Sequence, residues 1–152
     1  VSVHASVLFA AVVSAAKQQN LFRDVISHEP KNAPGTGLHC AVWWDGTVAS
    51  GRSSGLASVT AVVTFQGRIY SNMLAEPQDE IDPDLMDAAH QLMGAYAMSF
   101  TFGGQVRMAD LTGSEGAPMS CRPGYITIGQ AMFRAAELTL PLVVNDMWEE
   151  VP

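Results

Sequence analysis

The sequence predicts an α+β fold, a mainly antiparallel sheet flanked by two helices, built as a single domain over residues 1–152. Three observations carry this. Two segments, Val3–Gln19 and the stretch after Asp82, place apolar residues at helical spacing. The segments between and after them alternate apolar and polar residues, as half-buried strands do. No repeat, low-complexity tract or linker divides the chain, and helices kept apart from a largely antiparallel sheet define the α+β class.

Taken in order, Ser2 is placed to cap a first helix running to about Gln19. Val3, Val7, Leu8, Ala11, Val12 and Ala15 form one stripe, with Phe9 and Val13 on the other side. A helix apolar nearly all round is buried on more than one face, and a neighbouring subunit is one way to cover the second. Leu21–Ile26 leads into a short strand, residues 30–37 read as a loop, and Leu38–Trp44 reads as a strand ending in an Asp45-Gly46 turn. Residues 46–55 are rich in Gly and Ser, as in a hairpin loop.

The strand from Ala57 to Ile69 is the clearest element. Ala57, Val59, Ala61, Val63, Phe65 and Ile69 alternate with Ser58, Thr60, Thr64, Gln66 and Arg68, which predicts one buried and one wet face. Asp82-Pro83 reads as the start of the second helix, with Asp at the N-cap, Pro in the first turn and Asp84 and Asp87 facing the positive end of the dipole. Leu85, Ala89, Leu92 and Tyr96 continue it as a core stripe, and Gly103-Gly104 ends the segment. Val106–Leu111 reads as a strand and 112–124 as a long loop. Tyr125–Ile128 and Ala131–Val144 then form a hairpin about Gly129-Gln130, with Trp148 onward as a tail. Pro141 inside the last strand predicts an edge position or a bulge.

The formal net charge of −7 and the eight Lys plus Arg leave no basic stripe for gripping phosphates, which excludes tight nucleic-acid binding. Charged residues make up only 15% of the chain, below the usual quarter, as if part of the surface were covered by other subunits. Cys40 and Cys121 form neither a disulfide framework nor a zinc pattern and read as reduced buried thiols. The apolar N-terminal stretch lacks a preceding Lys or Arg and is short for a membrane span, so neither secretion nor a membrane is expected. Val1 in first position suits a GTG start codon and hence a prokaryotic or phage gene.

Motifs that could carry chemistry are weak. Gly51-Arg52-Ser53-Ser54-Gly55 matches the serine-hydrolase elbow, but that chemistry needs a strand-to-helix turn, and a strand follows here. His90 with Asp82 or Asp110 would have to complete such a site. His4, His28, His39 and His90 show no metal spacing, and Gly35-Thr36-Gly37 lacks the third Gly of a dinucleotide loop. No catalytic, metal or cofactor residue is expected.

Four segments together are more informative: His28-Glu-Pro-Lys-Asn-Ala-Pro-Gly, Arg68-Ile-Tyr-Ser-Asn-Met-Leu-Ala-Glu-Pro-Gln-Asp, Ile81-Asp-Pro and Leu138-Thr-Leu-Pro-Leu-Val-Val-Asn-Asp-Met-Trp. Their order and spacing resemble the tail terminator proteins of long-tailed, siphovirus-type phages of actinobacteria, over nearly the whole chain. The resemblance implies a small α+β structural protein without enzymatic activity or cofactor. It would assemble as a hexameric ring on the head-proximal end of the tail tube, where it ends tube polymerisation and presents a surface for the head. Its partners would be further copies of itself, the major tail tube protein and head–tail connector proteins. It would reside in the virion at the head–tail junction, and in the host cytoplasm during assembly. The genome would pass through the ring's channel without specific binding.

Within that reading the first helix (Val7, Val12, Val13) and the sheet edge near Pro141 are the expected subunit contacts, since a cyclic ring joins two different patches. Asp45, Asp110 and Glu115 are the acids expected to face the channel and repel DNA phosphates. A connector or stopper ring suits the same features. A small hydrolase using Ser53 is the alternative of a different class.

Overall fold

The computed structural model describes residues 5–30, 37–50, 58–72, 80–99 and 101–149. The Ser2 cap and the Ser53 motif lie outside them. The elements are α1 (Ala5–Lys17), β1 (Val25–Ile26), β2 (Leu38–Ala49), β3 (Ser58–Asn72), α2 (Ile81–Met98), β4 (Met108–Ala109), β5 (Ser120–Ile128) and β6 (Ala131–Glu149). This is the α+β architecture expected. The strands form one sheet in the order β1-β2-β3-β6, and β4 and β5 both lie along the outer side of β6. Every pairing is antiparallel except that of β1 with β2.

Both helices pack on one face of the sheet. The period-two pattern of β3 sends Val63, Phe65 and Ile69 to that face, where Cys40 and Val42 of β2 and the even-numbered residues Ala136 to Val144 of β6 join them. Leu8 and Val12 of α1 and Leu85, Ala89, Leu92 and Tyr96 of α2 close the core from above. Phe9 stacks on Phe65 at 5.5 Å between ring centroids, and the Tyr96 hydroxyl donates to the Val12 carbonyl, which ties the helices together. On the opposite face Tyr70 and Phe133 meet edge to face within a smaller cluster with Ala41 and Ala135. Beyond it, Arg68 lies over the Trp43 ring and binds Glu137 at 2.6 Å, so this face is polar but half covered rather than wet.

Several expectations give way. The Asp45-Gly46 turn is instead a bulge within a longer β2, because Trp44 pairs with Phe65 and Gly46 with Thr64, leaving Asp45 as the extra residue. The N-cap of α2 is Glu80, not Asp82, whose carboxylate is drawn away to Arg134 Nε at 2.9 Å. The strand expected over 106–111 shrinks to Met108–Ala109, while β5 begins at Ser120, inside the expected loop, and β6 runs on through Trp148. The Ile128–Ala131 hairpin closes as expected over Gly129-Gln130, Gly129 supplying the positive φ of 64° that the turn requires.

Pro141 is neither at an edge nor at a bulge. It sits in the interior strand β6 opposite Thr64, and its carbonyl accepts from the Asp110 N–H. A residue's N–H and C=O point to the same side of an antiparallel strand. The missing donor of Pro141 therefore falls in the gap between the end of β4 and the start of β5, where no ladder partner is needed.

Candidate functional site

The sheet ends in two edges of unequal character. β1 covers β2 only at Cys40 and Ala41, so among the described residues β2 has no strand neighbour on its outer side from Val42 onward. At the other end, β5 pairs only with β6. Unpaired strand edges are templates for another chain unless they are guarded.

The β2 edge carries two large apolar side chains in solvent. Trp44 is 59% exposed and Val48 70%. The bulge at Asp45 shifts the register between the two, so that Trp44, paired with Phe65, and Val48, paired with Val62, lie on opposite faces. The Trp44 indole N–H donates to the Thr47 hydroxyl at 3.0 Å, which fixes the ring across the bulge. Asp45 is exposed beside it.

The β5 edge carries a pocket. A hollow of about 370 Å³ opens between α2 and the β5–β6 hairpin, with Pro83, Leu85, Met86 and Ala89 on the helix side and Cys121, Pro123 and Ala136 on the sheet side. Its rim is polar at Asp82, His90 and Arg134. Arg134 is held by three contacts: Asp82, the Gly124 carbonyl at 3.2 Å, and the face of Tyr125 at 4.5 Å. The bond to Asp82 raises the guanidinium pKa above its ordinary value, so the charge is permanent. Exposed Met86, on the helix side, and Tyr125, against Arg134, extend the apolar surface around the mouth.

The pocket's thiol does not look like a nucleophile. Burial raises the Cys121 pKa, which keeps the sulfur protonated at neutral pH. Cys40, deep in the core, is pushed up to about 12 by burial and then by Asp24. Of the residues a Ser53 hydrolase would need, Asp82 and His90 line this pocket, Asp110 does not, and Ser53 lies outside the described residues. No group of three or more His, Cys, Asp or Glu among the described residues could hold a metal ion. No helix among them is long and apolar enough to cross a membrane.

The expected contact and channel residues are placed as follows. Val12 and Val13 are buried in the core, because the first helix turns them onto the sheet, although Val13 also lines a surface hollow beside α1. Val7 points outward and stays available, at 53% exposure. Pro141 is interior. Asp110 is buried, its carboxylate accepting from Ser114 N, Ser114 Oγ and Glu115 N, so it shapes a loop and presents no charge to a channel. Glu115 is half-buried and accepts from Ser50 Oγ at 2.7 Å. Asp45 alone of the three stands in solvent. Sequence reasoning missed Trp44 and the α2–β5 pocket. The adjacent tryptophans were a signal for the first, since in a strand Trp43 and Trp44 cannot share one face.

No family model and no curated protein matches this sequence.

Proposed function

We propose that the protein is a structural component that assembles head to tail into a ring, and that the ring is the tail terminator of a long-tailed phage. The observation that supports the assembly is the polarity of the two free edges. Successive strands β2, β3, β6 and β5 alternate in direction. A second copy in the same orientation therefore brings its β2 antiparallel to the first copy's β5, and the alternation continues without a break. Such a contact joins two different patches and propagates until rotation closes it. A twofold pairing of β2 with β2 would leave every β5 open.

The terminator role and the hexameric ring size rest on the resemblance of the four segments. The charge distribution suits a conduit for DNA: Glu80, Asp84 and Asp87 are exposed at the start of α2, and the net charge is −7. A surface of that sign repels phosphates and keeps a duplex from sticking.

The test is the mass of the purified protein by light scattering, with and without assembled tail tubes. A hexamer in solution, or one that forms only on tube ends and stops their growth, is the expected result. A ring indifferent to tubes that binds portal-side proteins would make the protein a connector. A monomer indifferent to tubes would overturn the assembly reading altogether.

A further inference from the structure

We infer that Trp44 and Asp45 of one copy seat at the β5 edge of the next, the indole filling the pocket between α2 and β5 and the carboxylate pairing with Arg122. The inference rests on the head-to-tail reading and specifies its contact.

Three independent features place these groups together. The first is the face. Trp44 pairs with Phe65 and Cys121 with Leu138, and both partners belong to the core under the helices. In a sheet continued from copy to copy, Trp44 thus arrives on the side of β5 where the pocket opens.

The second is the level along the strands. Trp44 lies level with Phe65 and Leu140, and Leu140 is two residues from Leu138, the partner of Cys121. Strands of a closed barrel are staggered by a fixed shear, about one residue per strand in the eight-stranded parallel barrel, and the same stagger over four strands is about four residues. In one of the two directions that stagger sets Trp44 opposite Pro123 and Asp45 opposite Arg122. It also matches the open part of β2, beyond the stretch that β1 covers, with the first half of β5.

The third is chemistry. Arg122 is exposed on β5, where it stands across from Glu137 on the face opposite Cys121 and Pro123, and Asp45 is exposed beside Trp44. Neither has a partner among the described residues, and their charges are opposite. A tryptophan anchor in an apolar hollow on one face, with a charged pair across the same joint on the other, has the make-up of an interface hot spot.

The experiment is a charge exchange read by light scattering, on tube ends where the ring needs them, with far-UV circular dichroism to confirm the fold. All three side chains are exposed, so the subunit should fold in every variant. Asp45→Arg, Arg122→Glu and Trp44→Ala should each raise the concentration needed for half assembly by about tenfold or more. Asp45→Arg combined with Arg122→Glu should recover most of that loss. Rings that persist in all three single variants, or a charge-exchanged double variant no better than its parents, would overturn the contact while leaving the ring reading intact. A wild-type protein that is monomeric with and without tubes would remove both.

Discussion

At the scale of single residues, Asp110 shows how a side chain that reads as a surface acid becomes internal scaffolding. Its backbone N–H bonds Pro141 and its carbonyl accepts from Met119, so the chain leaves β4 and returns toward β5 through this one residue. Its carboxylate takes the N–H groups of Ser114 and Glu115 and the Ser114 hydroxyl, closing the loop inside that frame. Gly113, at φ 82°, completes the turn; a Cβ there would meet the Gly116 carbonyl oxygen at 2.7 Å. Hydrogen bonds to a buried charge are worth more than neutral ones, and removing the acceptor strands the donors. Asp110→Ala should therefore lower stability by about 2–4 kcal/mol. It should appear as a lower urea midpoint with an unchanged slope. Asp110→Asn keeps one acceptor oxygen and should lose less. A midpoint unmoved by Asp110→Ala would mean that the loop holds without its carboxylate.

At the scale of elements, what the sequence made legible was periodicity, and what it hid was direction. The alternation in β3 gave the buried set Ala61, Val63, Phe65 and Ile69 correctly, because a strand has only two faces. α1 was harder. A helix apolar nearly all round does not announce which stripe meets the sheet, and the tertiary contacts choose Leu8, Val12, Ala15 and Ala16. Val12 looked like an interface residue for that reason alone. The start of α2 was misplaced by its Asp-Pro signal, since the pull of Arg134, 52 residues away, is invisible in a local reading. The first half of β5 was missed because Pro123 and Gly124 speak against a strand, yet an edge strand tolerates both. The burial pattern of α1 yields a paired prediction. Leu8→Ala should cost about 2–5 kcal/mol by opening a cavity under the helix. Val7→Ala, one residue away and outward, should stay within about 0.5 kcal/mol. Thermal or urea unfolding of the dissociated subunit checks both. Equal effects would mean that the helix is rotated from the orientation described.

At the scale of the whole molecule, the two free edges were beyond sequence reading, because an edge is defined by the strand that fails to pair with it. They also separate two ways of building a ring, through the strands or through the outward face of α1 at Val7. The ladder itself supplies the distinguishing observable. The Cys40 N–H donates outward to the Asp24 carbonyl. Backbone groups alternate sides along a strand, so the N–H groups of Val42 and Trp44 also point outward; the Ile26–Ala41 pairing takes up that of Val42, while that of Trp44 lies past the end of β1, where the described residues offer no strand to receive it. In a dissociated subunit the Trp44 amide faces water and should exchange hydrogen quickly, whereas that of Val42 is held by β1. If β5 of a neighbour pairs with this edge, the Trp44 N–H becomes a ladder donor, and its exchange should slow sharply on assembly. The inward-facing amides of Ala41 and Trp43 should change far less. Hydrogen exchange read at single-residue resolution across 41–47, in the ring and in the dissociated Asp45→Arg variant, makes the comparison. Alternating protection that appears only in the ring would identify strand pairing as the joint. Fast exchange at Trp44 in an intact ring would move the joint to the helices and make Val7 the residue to change next.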